Sequence, residues 1–241
     1  MRRIFALAAV LFVAACAGNK DTDQGFLSEV GSLSKEQVME RGDALGAKKK
    51  WDDARKFYSF LADSFPNDPL GRRAALKVAD TFFTAGDIES LTEAQLRYRD
   101  FANRFPNDPN RAYALLMLGK VSYAQRKGPM RDLTPVREAA ENLSQLVRLF
   151  PKSPYTEEGK ELQTKCLEEL AQHEFEIAQF YANIGAWQGA KQRLDYLFAN
   201  YPDTATAKAA APLMDKVLEQ FGSPAAPRPT SAPSKQTADQ H

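Results

Sequence analysis

The sequence predicts an all-α superhelix of stacked helical pairs, with about nine helices arranged as four full pairs and a terminal helix. Three observations carry this. An alanine followed twelve residues later by a proline, with an aromatic just before the proline, occurs four times. The copies are Ala54 to Phe65-Pro66, Ala94 to Phe105-Pro106, Ala139 to Phe150-Pro151 and Ala190 to Tyr201-Pro202. The prolines recur at intervals of 40, 45 and 51 residues, so spacing is constant inside a unit and variable between units, as in a repeat with loop insertions. Apolar residues also recur at helical intervals through most of the chain.

Twelve residues is a little over three helical turns. That places the alanine near a helix start, where a small side chain admits a close neighbour, and the proline just past the helix end, where it cannot continue the helix. Pro66-Asn67-Asp68-Pro69, Pro106-Asn107-Asp108-Pro109 and Pro151-Lys152-Ser153-Pro154 are turn residues, and the second proline suits the first turn of the next helix.

The N-terminus is a targeting segment. Met1-Arg2-Arg3 is a charged start, Ile4 to Val13 an apolar run, and Val13-Ala14-Ala15 supplies small residues before Cys16. The run is too short to span a bilayer. It resembles a bacterial lipoprotein signal over 1–15, in which Cys16 becomes the acylated N-terminus (palmitate and related chains). A plain secretory signal with an incidental cysteine is the other reading. Ala17 follows, and by resemblance to lipoprotein sorting this favours the outer membrane, periplasmic face. Residues 16–34, polar and containing Gly18, Gly25 and Gly31, read as the lipidated cysteine and a flexible tether with a mean reach on the order of 25 Å. Residues 35–222 hold the repeats.

The first pair runs from about Ser34, whose spacing to Gln37 resembles a capping box, to Phe65. Lys48-Lys49-Lys50 falls between its helices as a basic contact site or, preferably, a solvated turn. The second pair covers Leu70–Ala85 and Glu89–Arg104, and the third Asn110–Arg126 and Thr134–Leu149. A longer connection, with Gly128, Pro129 and Arg131-Asp132, joins the helices of the third pair. Tyr155 to Asn183 reads as one long helix, or two nearly coaxial ones, of roughly 43 Å. Cys166 sits on its apolar stripe as a buried thiol. Gly185-Ala186-Trp187 ends that helix, and Gln188–Asn200 returns to Tyr201-Pro202. The terminal helix, Thr204 to Phe221, contains Pro212, which is expected to kink or interrupt it. Residues 223–241, with four prolines among Ala, Ser and Thr, read as disordered.

Composition excludes several classes. With 32 basic and 31 acidic residues, nucleic acid is not the expected partner, because binding phosphates needs a basic excess. There is no glycine-rich phosphate loop, HExxH, CxxC or GxSxG. Of the two histidines, His241 is terminal and His173 sits alone mid-helix, so neither a metal site nor a catalytic set is expected. The expectation is a binding protein, not an enzyme, without a cofactor beyond the covalent lipid on Cys16.

In the fourth unit Ala178, Tyr181, Gly185 and Ala190, counted back from Pro202, fall at packing positions of the tetratricopeptide repeat. Leu170-Ala171-Gln172-His173-Glu174, Ala178-Gln179-Phe180-Tyr181, Gly185-Ala186-Trp187, Arg193, Tyr201-Pro202-Asp203-Thr204 and Pro212-Leu213-Met214 occur in that order behind the lipoprotein signal. The set resembles the BamD family, the tetratricopeptide lipoproteins of the machinery that assembles outer-membrane β-barrels. The resemblance implies a scaffold that binds the periplasmic domains of BamA, other lipoproteins of that complex and unfolded outer-membrane proteins. It implies that Arg193 contacts BamA, with a solvated arginine as the alternative. It further suggests a peptide groove at Arg73, Phe83, Tyr113, Lys120 and Tyr123, where aromatics suit an apolar strand and cations a terminal carboxylate. Packing or solubility roles are the competing account of those five. His173-Glu174 reads as a structural pair within the long helix. The alternative overall is another tetratricopeptide lipoprotein scaffold, such as a secretion or pilus pilotin or a cell-envelope coordinator.

Overall fold

The computed structural model describes residues 20–126 and 132–222. The expected signal segment, Cys16, Arg131 and the tail over 223–241 lie outside the described residues. The described chain is helical: α1 (Lys20–Gly31), α2 (Lys35–Ala47), α3 (Trp51–Ser64), α4 (Pro69–Ala85), α5 (Ile88–Arg104), α6 (Arg111–Ala124), α7 (Thr134–Leu149), α8 (Thr156–Asn183), α9 (Trp187–Asn200) and α10 (Ala205–Gly222). It divides into two compact units, Met1–Thr81 and Phe82–His241, with the boundary inside α4.

The repeat box has one physical form in all four copies. Ala54, Ala94, Ala139 and Ala190 are fully buried, as a close helix approach requires. The aromatic is the helix C-cap each time, with φ of −132° at Phe65, −123° at Phe105, −131° at Phe150 and −133° at Tyr201. Its amide donates to Leu61, Phe101, Leu146 or Leu197, each itself in the core. Its carbonyl accepts from the amide three residues on, at Asp68, Asp108, Ser153 and Thr204. The side chains of those four residues then accept the amides of Leu70, Asn110, Tyr155 and Ala207. The polar turn residue thus satisfies a donor at the start of the next helix that would otherwise have no partner.

In the first unit α2 packs antiparallel on α3. Ser34 closes the expected capping box with Gln37, and Lys35 at the start of α2 pairs with Asp68 beyond the end of α3. The expected flexible tether over 16–34 is corrected here, because most of it is helix α1. Its sequence is a poor isolated helix, with two glycines and weak amphipathicity. Tertiary contacts hold it instead. Phe26 meets Phe57 and Phe60 edge-on at 5.1 and 6.3 Å, Val30 is 3% exposed, and Glu29 accepts from Arg41 at 3.1 Å. The helix beyond the nine expected is this one.

In the second unit α6 packs between α5 and α7, α8 between α7 and α9, and α10 against both α8 and α9. The long helix is continuous over 28 residues. Its length lets one helix serve two neighbours: Cys166, Leu170 and Ala171 are buried along it, and Ala178 and Ala182 join the core of α9 and α10. Burial pushes the Cys166 thiol up to about 12, aided by the charge of Glu169, so this cysteine packs as a small apolar group. Pro212 does not interrupt α10. It lies on the exposed side of the helix, where the carbonyl it leaves without a helical donor can turn to water. Glu168 of α8 supports the start of α10 by accepting the amides of Ala205 and Thr206 at 2.9 and 2.8 Å and the Thr206 hydroxyl.

Candidate functional site

Three of the five expected groove residues come together. Phe83 at the end of α4, and Lys120 and Tyr123 on α6, line a cavity of about 410 Å³ in the second unit, with Arg126, Glu158 and Leu162. Phe83 is half-buried, as are Lys120 and Tyr123. The Lys120 ammonium pairs with Glu158 of α8. The Arg126 guanidinium lies 3.9 Å from the centre of the Tyr123 ring and 3.9 Å from a Glu169 carboxylate oxygen. Burial pushes the Tyr123 phenol above its ordinary range against the opposing pull of Arg126. The cavity is therefore amphipathic. Two aromatic rings and Leu162 supply apolar wall, and Lys120 and Arg126 already have acidic partners that an incoming carboxylate has to displace.

The other two residues stand elsewhere. Arg73 is exposed on α4 in the first unit. Tyr113 is half-buried between Tyr98 and Tyr155, with ring centres at 6.4 and 5.4 Å, an aromatic stack joining α5, α6 and the start of α8. That contact gives Tyr113 a packing role. Sequence reasoning missed Arg126, Glu158 and Leu162. The last two lie four residues apart on α8 and so share a face, but nothing in the sequence says that this face meets α6.

Arg193 on α9 occupies a different setting. Its Nη1 donates to Oε2 of Glu174 on α8 at 3.0 Å, and the guanidinium side chain remains 43% exposed while that of Glu174 is 10% exposed. The buried carboxylate aims an open cation outward. Glu174 is thus partnered across helices, whereas His173, its expected structural partner, has a buried Nδ1 with no hydrogen bond. Beside this pair, Tyr196 and Tyr201 meet edge-on at 6.1 Å, and burial, with Tyr196 next, pushes the Tyr201 phenol up to about 12. On the last turns of α8, Phe180 and Ile184 are 60% and 61% exposed, an apolar pair one turn apart.

Among the described residues, no group of three or more His, Cys, Asp or Glu side chains is placed to hold a metal ion, and no helix is long and apolar enough to cross a membrane.

The chain is similar to known proteins over most of its length. It is 28% identical to the outer membrane protein assembly factor BamD of Haemophilus influenzae, across 92% of this chain and 86% of that protein. Identity is 25% to the BamD of Pasteurella multocida, across 87% and 80%, and 25% to that of Neisseria meningitidis serogroup A, across 89% and 82%. A tetratricopeptide-repeat protein of Thermus thermophilus of known structure superposes on 77% of this chain and all of its own, with a TM-score of 0.42 and 16% identity. The family model YfiO, described as outer membrane lipoprotein, matches residues 32–232. That span takes in α2 to α10 and all four repeat boxes, and this chain belongs to the YfiO outer membrane lipoprotein family.

Proposed function

We propose that this protein is a non-enzymatic lipoprotein of the outer membrane, facing the periplasm, that scaffolds the assembly of β-barrel outer-membrane proteins. The observation that carries the reading is similarity over nearly the whole chain to proteins that bear the name of outer membrane protein assembly factors. Cys16 carries the lipid anchor. The second unit binds the periplasmic domains of a BamA-like barrel subunit through Arg193, whose guanidinium is fixed from below by Glu174 and open above. Such a cation gives up little side-chain freedom when it meets a partner's carboxylate. The cavity at Phe83, Lys120 and Tyr123 receives a short segment of an unfolded outer-membrane protein, the rings taking its apolar side chains and Lys120 its terminal carboxylate in exchange for Glu158. Other lipoproteins of the same complex are further partners.

Affinity purification from detergent-solubilised envelopes tests this directly. The principal co-purifying protein is expected to be a β-barrel subunit, and Arg193→Glu is expected to remove it. Because that variant sets two carboxylates together, Glu174→Gln serves as its companion: it keeps the cation and the fold, and it retains the partner. A folded Arg193→Glu protein that still brings down the barrel subunit overturns the role of Arg193. A main partner that is not a β-barrel protein overturns the function.

A further inference from the structure

Helix α1 determines which end of the first unit faces the anchor. Only three residues, 32–34, join it to α2, and Glu29 near its end pairs with Arg41, six residues into α2, so the chain reverses direction between the two helices. Phe26 is fixed beside Phe57 and Phe60. Going six residues towards the N-terminus from Phe26 reaches Lys20, where α1 begins, and the same step from Phe57 reaches Trp51, where α3 begins. At 1.5 Å per residue both steps cover about 9 Å, so α1 starts near the turn between α2 and α3. That turn is Lys48-Lys49-Lys50, and all three lysines are exposed. Residues 48–56 carry five cations against two carboxylates, and those carboxylates, Asp52 and Asp53, are paired to Arg55 and Lys56. Half-buried Trp51 follows directly, a residue type suited to the boundary between water and lipid.

The backbone supplies a second observation. Lys49 has φ of 59°, the one non-glycine residue with positive φ among the described residues. A side chain there is unfavourable, yet the position holds a lysine between two others.

We infer that the Lys48-Lys49-Lys50 turn is a docking surface for the anionic phospholipid headgroups of the membrane that carries the anchor. The inference rests on the reading of Cys16 as the lipidated residue. From Cys16 to Lys20 the chain spans at most about 14 Å, so a lipid on Cys16 brings the start of α1, and the lysine turn beside it, to within a short distance of the headgroups. Over such distances charge attraction survives physiological salt only near the surface, where the Debye length is about 8 Å. Several acyl chains on one residue hold the protein to a bilayer without help, and a basic patch beside them adds a second contact with anionic headgroups. Docking converts a mobile attachment into a fixed one, so that the first unit stands on the bilayer by the end at which α2 meets α3.

The test uses the acylated protein that begins at Cys16 and carries Trp187→Phe, which leaves Trp51 as the single tryptophan, in vesicles that contain a dansyl-headgroup lipid as energy acceptor. Flotation with neutral phosphatidylcholine vesicles reports the anchor. Transfer from Trp51 to dansyl reports docking. Transfer is expected to rise when phosphatidylglycerol is included, to fall in 0.5 M salt, and to drop to the neutral-vesicle value in the Lys48→Gln, Lys49→Gly, Lys50→Gln triple variant. Each lysine is expected to change the ratio of docked to undocked protein about fivefold. Lys49→Gly alone, which relieves the backbone and removes one charge, is expected to give a partial loss with helical content unchanged. Flotation with transfer independent of lipid charge and of the lysines overturns the inference and leaves the turn to solvent or an acidic protein. Failure to float on neutral vesicles removes the anchor, and the inference falls with it.

Discussion

The turn that ends α2 and the turn that ends α8 share one backbone and differ at the residue that pays for it. In the first, the amide of Lys49 donates to Gly46 at 2.8 Å and that of Lys50 to Leu45 at 3.0 Å. In the second, Gly185 donates to Ala182 at 3.1 Å and Ala186 to Tyr181 at 2.8 Å. Both satisfy the last carbonyls of a helix through a residue in the left-handed region, with φ of 59° at Lys49 and 74° at Gly185. Glycine is the low-energy solution there. The α8 turn uses it, next to a well-packed core of α8, α9 and α10. The α2 turn keeps a lysine in a cluster of exposed cations. At Gly185 the conformation is met by the residue that favours it, whereas at Lys49 a lysine stands at a conformational cost, which the headgroup contact proposed for this turn offsets.

The comparison can be broken hardest where glycine answers to space instead of φ. A Cβ on Gly71 would sit 1.9 Å from the Phe65 carbonyl oxygen, a backbone atom that cannot swing aside. Gly71→Ala is expected to lower unfolding free energy by about 3 kcal/mol, read as a lower urea midpoint. Next come the two turns themselves, where opposite signs are expected. Gly185→Ala meets no neighbour within 4 Å, so its cost is conformational, about 1 kcal/mol, whereas Lys49→Gly is expected to stabilise by roughly 0.5 kcal/mol or more. Thermal melts of both variants check the pair; equal signs would show that the two turns are not equivalent.

The smallest effect extends the comparison from the ends of helices to a beginning. Burial opposes ionisation of Glu168, but the Thr206 hydroxyl and the amides of Thr206 and Ala205 outweigh it and hold the carboxyl below its ordinary range. A carboxyl lowered by folding adds stability above its unfolded value, near 4.3, and loses it as pH falls through the folded value. Glu168→Gln is expected to cost about 0.4 kcal/mol at pH 7, because solvent screens a largely exposed carboxylate, with the gap to the parent protein closing below about pH 4 in denaturant titrations.

Much of this was legible in advance where the chemistry is local. The alanine-to-proline boxes, the capping box at Ser34, the long helical span over α8 and the stop at Gly185-Ala186 all follow from spacing and residue type, while the structure decided that this span is one helix and not two coaxial ones. Helix α1 was not, because a glycine-containing polar stretch becomes helical only when Phe26 finds Phe57 and Phe60 across the chain. The cavity was legible in part. Phe83, Lys120 and Tyr123 carry the right chemistry, but Glu158 and Arg126 complete it through a register between α6 and α8 that no local pattern encodes. Tyr113 shows the same limit from the other side: its chemistry suits a groove, and its neighbours make it a packing residue.

By itself, the sequence determined the all-helical repeat and the ends of most helices, since each depends on residues within a few turns of one another, and the order of its motifs along the chain pointed to a lipoprotein family. Only the tertiary structure decided that Glu174 turns to Arg193, that Glu168 reaches the start of α10, and that α1 leads back to the lysine turn. Those pairings join residues 19 to 38 positions apart in the first two cases, and in the third they depend on which face of α1 meets α3. Side-chain chemistry says what each group can bind, but the packing of one helix on another selects the partner it meets.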